Sequence, residues 1–185
     1  GPDDTWKRPA LVDTVLDRIA QRAEDPELLP RMRRVLAKLD AHSVTVVSRH
    51  AETSEPVAVT IGGFDLRWIT AQALSDPRTI ATLPSAYRQM EAGDFSAIAQ
   101  LALIYCKRLG PQNAMKHFMD LSSGASPART NLIEDEAQSA VLGDAMNFPG
   151  RYLAGAWGVE PGDAPAPPPV TSDVPVLILV GDLDA

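Results

Sequence analysis

One cysteine, Cys106, stands in 185 residues, so no disulfide can close within the chain and cysteine usage leaves the compartment undetermined. Histidine is almost as scarce: His42, His50 and His117 are the three, and none is spaced as a metal-binding pair. No apolar run approaches the roughly 20 residues that a bilayer-spanning helix needs, so neither membrane insertion nor a metal cofactor is expected. The opening GPDDTWKRP lacks the apolar stretch of a signal peptide. A basic excess is missing too. The formal net charge is −7 and the pI about 4.9, a balance that repels nucleic-acid phosphates. The nearest thing to a basic stripe, Arg31, Arg33, Arg34 and Lys38, alternates with Met32, Val35, Leu36 and Leu39 and reads as the solvated side of an amphipathic helix.

What is present is the composition of a folded chain, 45% apolar and 22% charged. Leu11, Val15 and Ile19 recur at helical spacing and predict a helix over 10–23, with a second over 28–40. The period then changes to two. SVTVVS (43–48) and PVAVTI (56–61) alternate with β-branched residues, and the seven residues between them predict a hairpin. Helices resume at 64–74, after Asp76-Pro77, over 83–93, from Asp94 to Gly110, after Pro111, and from Ser126-Pro127 through Gly143. Within LALIYCKRL, Cys106 reads as a buried structural thiol. Of the aromatic residues, Trp68, Tyr87, Phe95, Phe118, Phe148, Tyr152 and Trp157 read mostly as core.

Residues 161–173 are dense in proline and read as an extended spacer. Beyond it Val174 to Val180 is an apolar, β-branched run of the kind buried on both faces of a parallel sheet, yet the helical body before it offers no such sheet. The run delivers Asp182 and Asp184 to its carboxyl end, where open α/β sheets place their chemistry.

Four segments together, GPDDTWKRP, GFDLRWITAQALSDPRTIATLPSAYRQMEAGDFSAIAQ, SGASPARTNLIEDEAQSAVLGDAMNFP and SDVPVLILVGDLDA, resemble the lid and following strand of α/β hydrolases related to tripeptidyl and prolyl aminopeptidases. That resemblance implies a mainly α fold: a helical lid over 1–160 with one hairpin near 43–61, the linker over 161–173, and at 174–185 a strand and turn belonging to an α/β-hydrolase sheet. It implies that Asp184, with Asp182 as the alternative, is the acid of a Ser-Asp-His triad. It also implies that lid acids, among which Asp120, Glu134, Glu136 and Asp144 are the candidates, hold a substrate's free amino group; each also reads as a surface carboxylate or helix cap. Of Phe148, Tyr152 and Trp157, just before the return to the core, one or two would line the pocket mouth, Phe148 and Trp157 being the candidates. Relatives often carry cysteine where Leu121 stands here. The implied partners are the missing hydrolase core and a small peptide, amide or ester, without a cofactor. An unpaired strand also invites a strand-swapped homo-oligomer, and the alternative reading is a non-catalytic helical binding module whose terminal strand pairs with a partner or second copy.

The chain lacks the rest of a triad. Gly124-Ala125-Ser126 superficially matches half of a nucleophile elbow, but an elbow needs a strand before its serine, whereas Pro127 makes Ser126 an N-cap. All three histidines precede Asp184, the reverse of the hydrolase order Ser, acid, His. A lone carboxylate supplies little rate enhancement, so this chain by itself is inert. A serine-directed fluorophosphonate should therefore leave it unlabelled in intact-mass spectra. Labelling at Ser126 would overturn the assignment.

Overall fold

The computed structural model describes residues 5–50, 53–106 and 114–158, together with Pro175, Leu177 and Gly181. Pro9 opens helix α1 (Pro9–Arg22) at its first turn, where a missing N–H is no loss. Its Val12, Val15, Leu16 and Ile19 form one stripe, each at most 3% exposed. That stripe packs on α2 (Leu28–Ala41), which buries Leu28, Met32, Val35, Leu36 and Leu39 at the same spacing and ends with His42 as its C-cap. Each such side chain contributes roughly 1.5–3 kcal/mol of burial.

Strands β1 (Val44–Arg49) and β2 (Pro56–Ile61) pair antiparallel, with Val44 opposite Ile61 and Arg49 opposite Pro56. His50 lies in the connection and closes it, donating its N–H to Glu55 O at 2.9 Å. Alternation turns Val44, Val46, Val59 and Ile61 to the core and Val47 to solvent. From there the chain is helical: α3 (Gly63–Ala73), the short α4 (Pro77–Ile80), α5 (Leu83–Glu91), α6 (Ser96–Cys106), α7 (Ala114–Ser123), α8 (Pro127–Ala137), a single 3-10 turn at Ala145–Asn147, and α9 (Gly150–Trp157). Asp76 and Ser126 cap α4 and α8 as their residue types dictate, accepting the N–H of Arg78 and Arg129. The fold is mainly α with one small two-stranded antiparallel sheet among the described residues. In that portion no helix is long and apolar enough to cross a membrane.

Two cores of unequal size result. The main one joins α1, α2, α3, α5 and α6 with the inner face of the hairpin, around fully buried Leu16, Leu28, Met32, Leu66 and Tyr87. Helix α3 approaches α2 so closely that a Cβ on Gly63 would sit 1.8 Å from the Asp40 carboxylate. Arg67 of α3 holds that carboxylate with two bonds of 2.7 Å. The second core is small: Trp6, Leu121 and Ile133, with Ala125, Leu153 and Ala154 around them, lie beneath α7, α8 and α9. Leu121 is 3% exposed and fills this core.

Several expectations are corrected. Arg31 is 8% exposed and belongs to the buried face of α2, not its wet side. Cys106 is exposed, because α6 is apolar on nearly every side and the thiol falls on its outer one. Helix α8 stops at Ala137 and not near Gly143, since Asp13 accepts the Val141 N–H at 3.0 Å and Arg33 donates to Ser139 O at 2.9 Å. Phe118, Tyr152 and Trp157 are exposed rather than core. The 161–173 linker, Asp182, Asp184 and the N-terminal residues 1–4 lie outside the described residues, as does most of the 174–180 run. Of that run Pro175 and Leu177 are described, neither in a strand, and Leu177 is 83% exposed.

Arg31 is buried because Asp25 receives it. Asp25 Oδ2 accepts Arg31 Nη1 at 2.8 Å and Arg88 Nη1 at 2.6 Å, while Glu91 accepts Arg31 Nε at 3.1 Å and Arg34 Nε at 2.8 Å. The Arg31 bond, opposed by burial and helped by the charges of Arg31 and Arg88, holds the Asp25 carboxyl below its ordinary range. A depressed folded-state pKa contributes stability above the unfolded value and loses it as pH falls through the folded one. Asp25→Ala should therefore cost about 3 kcal/mol at pH 7, leaving Arg31 buried against Glu91 alone. In urea unfolding the gap from wild type should close below about pH 4; an unchanged gap at pH 3 would contradict this.

Candidate functional site

The N-terminal segment, the end of α3, α7 and the turn leading into α9 enclose a cleft of about 280 Å³. Asn147 builds it. This residue is 4% exposed, and its carboxamide acts as a surrogate backbone: Lys7 N–H donates to Oδ1 at 2.7 Å and Nδ2 donates to Lys7 O at 2.9 Å. Residue 7 is thereby fixed against the 3-10 turn although 140 positions separate the two. Its neighbours are fixed as well. Arg129 Nη2 donates to Trp6 O at 2.9 Å, the Trp6 ring is buried in the small core, and Arg8 pairs with Glu136.

Gly150, first residue of α9, touches the Trp6 ring so closely that a Cβ there would lie 2.8 Å from two of its carbons. Phe148 forms the apolar wall, edge-on to Phe64 at 4.9 Å and to Trp68 at 6.5 Å between ring centroids. Met146 and Ala71 complete that side, and Lys7, Gln72, Ser75, Lys116, His117 and Asp120 supply the polar one.

His117 reads from the sequence as a helix-surface residue. The structure corrects this: it is half-buried, with Nδ1 enclosed and unpartnered. Burial pushes its pKa below the usual imidazole value, Lys116 adding to the shift and Asp120 opposing it, so the ring is neutral at pH 7. Asp120 accepts Lys116 Nζ at 2.8 Å one helical turn away.

A second, shallower cleft of about 240 Å³ lies behind Asn147, lined by Glu134, Ala137, Asp144, Arg151 and Tyr152. Here Arg151 bridges two carboxylates, donating Nη1 to Asp144 at 2.7 Å and Nη2 to Glu134 at 3.1 Å. Asp144 also accepts from Asn147 Nδ2 and from Tyr152 Oη at 3.2 Å. Burial, then the Asp144 charge, raises the Tyr152 phenol, so it remains a donor. Trp157 lies farther along α9, its ring 4.7 Å from Phe118 and 6.3 Å from His117.

The residues expected to meet substrate therefore divide. Asp120 and Phe148 share the larger cleft, Glu134 and Asp144 share the smaller, and Trp157 sits on the rim of exposed side chains. Glu136 faces neither; it holds Arg8 and accepts the Ala10 N–H at 3.2 Å at the start of α1. Sequence reasoning missed Lys7, Gln72, Asn147 and Arg151. Only Asn147 carried a signal, as a lone amide in the apolar stretch AMNF. No group of three metal-ligating side chains is assembled among the described residues.

Searches against protein-family models, curated proteins and solved structures give no match to this chain.

Asn147→Ala should free both Lys7 backbone groups and cost about 2–3 kcal/mol, two bonds at about 1 kcal/mol each plus a desolvation penalty. Amide exchange at Lys7 should accelerate well beyond the change at Leu16 in the main core. Equal acceleration at both would show that the clamp has no local role.

Proposed function

We propose that this chain is the helical lid of a serine hydrolase of the α/β-hydrolase class, similar to tripeptidyl and prolyl aminopeptidases and acting on small peptides, amides or esters. The observation that carries the reading is a set of exposed apolar side chains on the helices that border the two clefts. Phe64 (50% exposed), Met115 (72%), Phe118 (44%), Met119 (61%), Tyr152 (59%) and Trp157 (38%) stand uncovered on α3, α7 and α9. Large side chains exposed together around a concavity mark a surface that another body covers, and a lid's underside is such a surface.

In this reading the hydrolase core supplies a serine that attacks the scissile carbonyl and a histidine that takes its proton and returns it to the leaving group. Asp184 orients that histidine. The lid excludes water and selects substrate. Of its candidate acids, Asp120 is the one whose carboxylate reaches the larger cleft, where a substrate amine would compete with Lys116 for it. Glu134 and Asp144 are committed to Arg151 and shape the wall behind.

The reading frame around this chain tests the proposal directly: a strand with G-x-S-x-G should lie ahead of it and a histidine behind. In that complete protein a fluorophosphonate should label the elbow serine, and Asp184→Asn should lower kcat about 10⁴-fold by turning the histidine to the wrong tautomer. A frame without either element would sink the proposal.

A further inference from the structure

We infer that the larger cleft is a carboxylate-recognition site, with Lys7 as its counter-cation and Phe148 as the wall for the apolar body of the ligand. The inference concerns this chain's own affinity for a small molecule and stands whether or not a hydrolase core joins it.

Three consecutive side chains lead to it. Trp6 is buried, Arg8 is paired with Glu136, and Lys7 between them lines the cleft. Among the described residues the Lys7 ammonium has neither an ion-pair nor a hydrogen-bond partner, whereas its backbone N–H and C=O are both held by Asn147. A charged side chain is thus presented from a fixed Cα. Pre-ordering of this kind reduces the entropy lost when a ligand is bound.

The local charge favours an anion. Lys7, Lys116 and Asp120 all line the cleft, two basic residues against one acid, and His117 is neutral. That local surplus of positive charge is set in a chain whose net charge is −7. Asp120 quenches Lys116 at 2.8 Å, which leaves Lys7 as the cleft cation without a partner among the described residues. Gln72 and His117 line the same cleft, the latter with its Nδ1 enclosed and without a partner. Opposite them Phe148, Met146 and Ala71 are apolar.

The volume, about 280 Å³, falls just below the usual range of small-molecule sites and suits an N-acylated amino acid or the carboxyl-terminal residue of a short peptide. A phosphate offers the same charge without an apolar body and would leave the Phe148 wall unused.

Calorimetric titration of the full chain with N-acetylphenylalanine and with its amide tests this, because the two probes differ only at the carboxylate. The carboxylate should bind at least about 10-fold more tightly, as a charge-assisted hydrogen bond implies. Lys7→Gln should abolish that preference while leaving the amide's affinity unchanged. The clamp uses only Lys7 backbone atoms, so the circular dichroism spectrum should be retained. Should Lys7→Gln fail to fold, Lys7→Arg supplies the second variant, and it should keep the preference. Salt near about 0.5 M should erode the preference in wild type. Equal or reversed affinities, a preference that survives in Lys7→Gln or is lost in Lys7→Arg, or the absence of both heat and a His117 NMR shift with either probe, overturns the inference.

Discussion

A buried carboxamide sets the geometry of the part of this protein that holds both clefts. Asn147 offers one donor and one acceptor to the peptide groups of Lys7 and a further bond to Asp144. Asparagine can do this because its amide copies the backbone's own pairing groups. Alanine or leucine would leave the same backbone groups buried and unsatisfied. Through that side chain the N-terminal segment, the 3-10 turn and α9 become one unit. Lys7 and Phe148 then face one cleft while Asp144, Arg151 and Tyr152 face the other, so the two clefts are the two sides of a single knot.

The knot sits on the smaller core. Trp6, Leu121 and Ile133 carry α7, α8 and α9, whereas α1 to α6 share a far larger set of fully buried side chains. Regions with fewer buried contacts open at lower free energy, so among the described helices α7 to α9 are better able to adjust than α1 to α6. The same shortage explains the exposed aromatics. Three short helices cannot cover Phe118, Met119, Tyr152 and Trp157 and also enclose Trp6, and the first four are left at the surface.

Periodicity made the main core legible and contributed little to the site. Helices α1 and α2 and both strands follow from spacing alone, because their apolar residues repeat without interruption. Arg31 shows where that logic fails: three residues after Leu28 and four before Val35, it falls on the apolar stripe, and its charge made solvent the natural assignment. Its partner Asp25 lies in the preceding loop, where no helical spacing can relate the two. The early end of α8 is likewise set by Asp13 and Arg33, more than 100 positions away. Helix α9, GRYLAGAW, has two glycines and weak intrinsic helicity; packing on α7 and its left-handed Gly158 cap hold it. Lys7 carried no signal at all, since a lysine beside Arg8 reads as solvated.

The charge of the chain as a whole also misleads about the charge of its site. An acidic protein suggests an acidic pocket, and the acids named from the resemblance fit that expectation until their partners are seen. Arg151 takes Glu134 and Asp144, Arg8 takes Glu136, and Lys116 takes Asp120. Each pairing costs side-chain entropy and is worth little where solvent screens it, so their shared effect is to place the acids and not to add much stability. Once they are neutralised locally, the group in the larger cleft whose charge no described residue answers is the Lys7 ammonium. A substrate amine must displace a cation to reach Asp120, whereas an anion meets Lys7 without displacing any described partner. That asymmetry makes the negative end of a ligand the better-recognised one.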